Sequence, residues 1–355
     1  MTHPEPDREV IGGVDTHGRT HHAAVIDTLG RHLADREFPA TTAGYHDLHV
    51  FLASFGELVA VGVEGTGAYG AELARHLARA GVTVVDVDRP DRKTRRMKGK
   101  SDPIDAYAAA TAVASGRATG TPKTRSGTVE AIRTLRIARR SAVKARTQAM
   151  NQIRGLLVAA PAALREQVGD LPRTELVKTL ARLRPGTDLT VPLNATKAAL
   201  RHLARRHQIM DEEITELDAQ ITPLVRTAAP DLLALYGVGT ETAGQLLTTA
   251  GDNPERMRSE AAFAHLAGVA PVPASSGRTH RHRLNRGGDR AANNALHTIV
   301  LVRMRYDERT RAYVERRTRE GLSKKEIMRC LKRFVAREVY RALIAAPPAH
   351  TRHTT

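Results

Sequence analysis

The sequence predicts an α/β domain built on a mixed five-stranded sheet, followed by a long helical region. Three observations carry this. Residues 9–38 fall into three short strand-like runs. Residues 41–88 alternate between segments of helical period and nearly continuous apolar runs. From residue 128 onward almost only helical periodicity remains.

Each element has its own signature. "EVIGGVD" (9–15) is apolar and ends on Asp15. "THHAAVID" (20–27) and "HLADREF" (32–38) alternate and are split by Leu29-Gly30, which makes the three a meander. "TTAGYHDLHVFLASFG" (41–56) is helical, with Leu48, Phe51, Leu52 and Phe55 on one face. "LVAVGVEG" (58–65) reads as a strand buried on both faces and ends on Glu64. "AYGAELARHLARAG" (68–81) is a helix closed by Gly81, and "VTVVDVD" (82–88) is another buried strand. "SDPIDAYAAATAVA" (101–114) is a helix whose start fits Asp102 as N-cap, Pro103 at the first helical position and Asp105 two residues later. Three antiparallel strands, then helix, strand, helix, strand and helix, is the order of a ribonuclease-H-type sheet.

Beyond this lies a basic helix over 128–160. Residues 173–195 are broken by Pro185-Gly186 and Pro192. Leu200, Leu203, His207, Met210, Ile214, Leu217, Ile221 and Leu224 then recur at alternating spacings of three and four. That is a coiled-coil seam of about three and a half heptads, or equally one side of a helical hairpin closed by the 128–160 helix. "LLALYGVGTETAGQLLTTAGD" (232–252) has the helix, Gly237-Val-Gly239, helix pattern of a helix-hairpin-helix, in which glycines let backbone N–H groups approach phosphate; a plain helical turn has the same pattern. Residues 289–345 read as three basic helices. The expected division is 1–118, 119–228 and 229–355.

Composition narrows the function. The 355 residues carry 55 Lys+Arg against 38 Asp+Glu, a net charge of +17, which points to a polyanionic partner such as nucleic acid. The excess is uneven: residues 1–115 hold 13 Lys+Arg and 16 Asp+Glu, so the basic surplus lies wholly in the remainder. One cysteine, Cys330, excludes disulfides and a cysteine-rich zinc site. No uncharged apolar run is long enough to span a membrane, and the polar start is not a signal peptide, so a cytoplasmic, nucleoid-associated protein is expected. Aromatic residues are only 3%, too few for base stacking to be the main mode of binding.

The chemistry-bearing pattern is acidic. In a sheet of this order the strands ending on Asp15 and Glu64 lie side by side, and the helix from Asp102 can bring its N-terminus to the same edge. Four converging carboxylates (Asp15, Glu64, Asp102, Asp105) repel one another and require divalent cations, with Mg²⁺ or Mn²⁺ suited to such oxygen donors. Paired ions of this kind polarise a phosphodiester and stabilise its entering and leaving oxygens. Against this stands helix capping, which alone accounts for Asp102 and Asp105.

These residues resemble a known family. "GGVDTHGRTHHAAVID", "VGVEGTGAYGAELARHLARAG" and "KGKSDPIDAYAAA" resemble the DEDD, RuvC-like domain of the insertion sequence "one-ten" transposases. "AGVAPVPASSGRTHRHRLNRGGDRAANNALH" resembles their second, C-terminal domain. The resemblance spans nearly the whole chain. It implies a RuvC-like DEDD catalytic domain at 1–118, a coiled-coil linker at 119–228 and a transposase domain at 229–355. It implies a DNA recombinase that cuts and rejoins double-stranded donor and target DNA through a composite serine and metal–carboxylate site. It further implies guidance by a noncoding bridge RNA and a homo-oligomer, dimeric or tetrameric in the synaptic complex. The DEDD carboxylates correspond to Asp15, Glu64, Asp102 and Asp105, and the nucleophilic serine to Ser276, with Ser275 adjacent. The stretch "GRTHRHRLNRGGD" is shorter and richer in His and Arg than in many members.

Such a serine would form a 5′-phosphoserine that conserves bond energy for rejoining, while Arg278, Arg281, Arg283 and Arg286 neutralise the phosphate. The same loop also reads as a flexible turn and a solvated basic patch that only contacts backbone phosphate. Two other functional classes fit the sequence. One is a metal-dependent RuvC-like nuclease or junction resolvase that uses water. The other is a non-enzymatic nucleic-acid-binding protein.

Overall fold

The computed structural model describes residues 8–87, 101–275, 277 and 282–345. The chain divides into two compact units, residues 1–127 with 250–259, and residues 128–249 with 260–355.

The first unit is built on five strands: β1 (Glu9–Thr16), β2 (Thr20–Asp27), β3 (His32–Pro39), β4 (Glu57–Glu64) and β5 (Val84–Val87). Their order in the sheet is β3-β2-β1-β4-β5. The first three run antiparallel in sequence, and β4 and β5 are added parallel to β1. Three helices cover the sheet: α1 (Thr42–Ala53), α2 (Ala71–Arg79) and α3 (Asp102–Ala114). This is the mixed, ribonuclease-H-like sheet expected from the order of elements.

Strand periodicity sorts the side chains between two faces. Val10 and Val14 of β1 join Val61 and Val63 of β4 in one core with Leu48 and Leu52 of α1 and Leu73 and Leu77 of α2. The opposite face carries Ile11, packed with Ile26 of β2 and Ala110 of α3. There α3 approaches unusually closely. A Cβ placed on Gly13 would lie 2.2 Å from the carbonyl oxygen of Ala106 and 2.3 Å from the amide of Ala110. One on Gly62 of β4 would lie 2.7 Å from Val113. Only hydrogen is small enough at these strand positions, so the two glycines form the bed on which α3 lies.

The second unit is helical. Its longest elements are α4 (Thr128–Val158) and, after α5 (Ala162–Val168) and α6 (Arg173–Ala181), α7 (Pro192–Ala228). Arg139 Nε donates to Asp218 Oδ1 at 2.5 Å, Arg146 pairs with Asp211, and Met150 and Ile153 pack with Leu200. As numbering rises along α4 it falls along α7, so the two form an antiparallel hairpin. The heptad residues Leu200, His207, Ile214, Leu217 and Ile221 are buried in this one chain. The seam therefore packs against α4 within the chain, while Leu203, Met210 and Leu224 stay half-buried. Its stripe must be covered, and the 31-residue α4 is long enough to cover it.

The hairpin and the C-terminal helices fall in the same compact unit. Helices α8 (Pro230–Ala234) and α9 (Thr240–Ala250) flank the Gly237 turn, and α10 (Glu260–Leu266) follows. Arg136 of α4 grips Glu241 of α9 with two bonds of 2.9 Å. A short ladder pairs β6 (Val272–Pro273) with β7 (His282–Arg283), and α11 (Arg290–Tyr306), α12 (Glu308–Arg319) and α13 (Lys324–Ala345) complete the unit. No helix among the described residues is long and apolar enough to cross a membrane.

Candidate functional site

Asp15 is the penultimate residue of β1 and Glu64 the last of β4. The parallel register pairs Val14 with Val63, so the two carboxylates follow at adjacent strand ends. By the alternation that sends Val14 and Val63 toward α1, Asp15 and Glu64 fall on the α3 face. The ends are tied together by Thr16, whose hydroxyl donates to the Glu64 carbonyl at 2.7 Å. Gly65, in the left-handed conformation (φ 74°), then turns the chain away from the edge.

Helix α3 brings two more carboxylates to this face. Its N-cap is Ser101, whose carbonyl accepts the Asp105 N–H at 3.1 Å. The expected cap at Asp102 is thus displaced by one residue. Ser101 is the extended residue at the helix start (φ −150°, ψ 153°), and Pro103 falls in the first turn, where its missing N–H leaves no helical bond unmade. Asp102 is left as the first helical residue with a half-buried side chain, and Asp105 is 2% exposed one turn inward.

The side chains then group in an unexpected way. Oxygens of Asp15 and Asp102 and a ring nitrogen of His17 all lie within 4.8 Å of one another. Asp15 is 7% exposed, and its Oδ2 lies 3.8 Å from His17 Nδ1. Glu64 and Asp105 stand at the same edge but outside this tight group. His17 opens the turn between β1 and β2, where its N–H donates to the Thr20 carbonyl at 3.1 Å and faces His21 Nδ1 at 3.3 Å. Buried His21, stacked on Tyr45, has its pKa lowered by desolvation, so a neutral ring backs the turn. His17 escaped the sequence reading. The signal for it was "VDTH": two residues past Asp15 is the same side of a strand.

Two carboxylates and an imidazole in this space are a fitting donor set for a divalent cation. Bound there, such an ion would act as a Lewis acid toward a phosphodiester. The residues that would hold it are Asp15, His17 and Asp102, with Glu64 and Asp105 in reach of the same edge.

The serine loop belongs to the second unit. Ser276, Arg278 and Arg281 lie outside the described residues. Ser275 is exposed, Gly277 is left-handed (φ 54°), and Arg283 and Arg286 are exposed on and after β7. The base of the loop is firmly built. A Cβ on Gly288 would lie 2.2 Å from the Gly268 amide, so two backbones touch. Asn285 donates to the His265 carbonyl at 3.1 Å, and Asn293 to the Gly268 carbonyl at 2.9 Å. Lys332, buried on α13, donates to Asn293 Oδ1 at 2.8 Å.

Of the two hairpin glycines, Gly237 is left-handed (φ 78°) and packed near Ile299 of α11. Gly239 is exposed, but its N–H donates to Thr242 Oγ1 at 3.1 Å. The amide expected to face phosphate is engaged within its own helix start.

The acidic edge of a ribonuclease-H-like sheet fits a transposase of the DEDD class, and comparison with known proteins identifies one. A model of the DEDD transposase domain of IS110 elements, described as a transposase, matches residues 12–160. A second, described as a transposase of the IS116/IS110/IS902 family, matches residues 229–315. The chain belongs to the IS110 family of transposases.

Among relatives, a 43.6 kDa protein of insertion element IS110 from Streptomyces coelicolor is 34% identical over 39% of this chain and 33% of its own length. A 42 kDa protein of element IS900 from Mycobacterium paratuberculosis is 32% identical over 34% of this chain and 31% of its own. The match thus spans about a third of the length of these two relatives. The mini-circle putative transposase for IS117 of Streptomyces coelicolor is 27% identical over 78% of this chain and 80% of its own length.

Proposed function

We propose that this protein is a DNA recombinase that moves an insertion sequence by cutting and rejoining phosphodiesters. The observation that carries the proposal is the meeting of Asp15, from β1, and Asp102, from the start of α3, at the carboxyl ends of the parallel strands. Ligands of open α/β sheets bind at such strand ends. The N-cap position that competed for Asp102 is occupied by Ser101, without a side-chain cap bond.

In this reading Glu64 and Asp105 complete the DEDD set, and Mg²⁺ or Mn²⁺ is the cofactor. The serine loop supplies the nucleophile. A base at the site takes the Ser276 Oγ proton as Oγ attacks phosphorus, the bond to the 3′ oxygen breaks, and a proton is returned to that oxygen, leaving a 5′-phosphoserine and a free 3′ hydroxyl. Arg278, Arg281, Arg283 and Arg286 hold the phosphate. Donor and target DNA are the substrates, and the family resemblance supports a bridge RNA as guide. The net charge of +17 suits both nucleic acids. Gly237 and Gly239 contribute as a turn laid along a backbone. The protein assembles into dimers or tetramers, as the family resemblance implies, and most of the heptad seam is already covered by α4 within the chain.

The test is cleavage of donor DNA in the presence of Mg²⁺ and the RNA that copurifies with the protein. Wild-type protein yields a protease-sensitive covalent adduct on a denaturing gel. Ser276→Ala abolishes the adduct and recombination, while Ser275→Ala keeps both. Asp102→Asn lowers cleavage by roughly 10²–10³-fold, as loss of a principal electrostatic group does, with the fold intact by circular dichroism. Cleavage without any adduct would instead establish the nuclease or resolvase reading, with water as nucleophile.

A further inference from the structure

We infer that His17 is a direct ligand of the divalent cation at this edge, and that it biases the site toward transition ions, Mn²⁺ over Mg²⁺. This deepens the metal reading above and rests on it. A ring nitrogen of His17 belongs to the same 4.8 Å group as the Asp15 and Asp102 oxygens, whereas Glu64 and Asp105 do not. The imidazole is therefore more central to the preformed donor set than two of the four carboxylates.

Its position is fixed from both sides. Its backbone is pinned at the β1–β2 turn by the bond to the Thr20 carbonyl, and its ring stands beside the nearly buried Asp15. The chemistry follows from the donor. Mg²⁺ is hard, dehydrates reluctantly and prefers oxygen ligands. Imidazole nitrogen adds affinity along the series from Mn²⁺ upward, so an Asp–His–Asp set separates the two ions more than an all-carboxylate set would. With 44% of its side chain exposed beside Asp15, the His17 ring is open to an ion arriving from solvent.

The experiment uses the full-length protein with Mn²⁺ and Mg²⁺ as probes and needs no DNA. Mn²⁺ binding is followed by electron paramagnetic resonance, with pulsed measurement of nitrogen coupling to the bound ion, and Mg²⁺ binding by calorimetry. Wild-type protein is expected to bind Mn²⁺ with a clear ¹⁴N coupling. His17→Ala should lose the coupling and weaken Mn²⁺ binding at least about tenfold, while Mg²⁺ affinity changes far less. His17→Asp should restore tight binding without nitrogen coupling and narrow the Mn²⁺ preference. Mn²⁺ bound by wild-type protein without ¹⁴N coupling, or with coupling that survives in His17→Ala, would overturn the role of His17 and leave the carboxylate site standing. Absence of saturable Mn²⁺ binding in wild-type protein would overturn both.

Discussion

Helices α3 and α7 are packed by opposite means. Helix α3 meets its sheet through Gly13, Gly62 and the buried alanines 106, 109 and 110, so backbone rests on backbone. Helix α7 meets α4 through a stripe of leucine and isoleucine side chains, reinforced at its margins by Arg139–Asp218 and Arg146–Asp211. Small-residue contact buries less apolar area but leaves little freedom to slide, because any displacement brings hard atoms together. A branched-chain seam buries more and can repack. The first arrangement suits a helix that must hold Asp102 against Asp15. The second suits a scaffold.

The contrast can be broken at its rigid end first. Gly13→Val places a side chain where the Ala106 carbonyl and Ala110 amide already are, and α3 must lift. Overpacking of this kind costs at least about 3 kcal/mol. Divalent-ion binding should fall together with stability, as read by chemical denaturation and calorimetry. A stable Gly13→Val protein with unchanged metal affinity would mean that α3 is not held by this contact.

The seam should respond more mildly and without loss of the metal site. Leu217→Ala should cost about 2 kcal/mol, the low end for a core leucine, because this position lies at the edge of burial. Since the seam closes within the chain, the mass in sedimentation should not change. A shift from oligomer to monomer would place the seam between protomers instead.

The smallest effect is a pH dependence inside that seam. His207 is buried, and desolvation, followed by the Arg173 guanidinium, lowers its pKa below the ordinary 6.5. Its Nε2 lies 3.1 Å from Arg173 Nη2, a bond that a neutral ring can accept. The unfolded chain therefore binds this proton more readily than the folded one. Stability should be full at neutral pH and decline as pH falls below 6.5. The decline should flatten in His207→Leu, as measured by urea denaturation at pH 7 and pH 5.

Much of this was legible in the sequence, for physical reasons that differ by region. Alternation placed β2 and β3, because one-sided burial leaves a period, while continuous apolar runs placed β4 and β5 and Gly81 marked the end of the second helix. The three-four spacing from Leu200 to Leu224 announced a seam but not its partner, since a coiled coil and a hairpin ask the same of a helix. The start of α3 lies one residue earlier than expected because Ser101 and Asp102 are both good caps, and the preference of Pro103 for the first helical position pointed to the second of them. His17 left only a faint mark in the sequence, as the residue two past Asp15 in "VDTH". Only the turn geometry after β1 brings its ring back to Asp15.

The central claim is that Asp15 and Asp102 jointly hold a divalent cation. It is tested most directly by anomalous diffraction from crystals of the full-length protein grown with Mn²⁺. The account predicts a manganese peak within about 2.0–2.4 Å of a carboxylate oxygen of both residues, the range expected for such ions, and no peak there in Asp102→Asn. A clear Mn²⁺ peak elsewhere, with the Asp15–Asp102 edge empty at the same concentration, would contradict it.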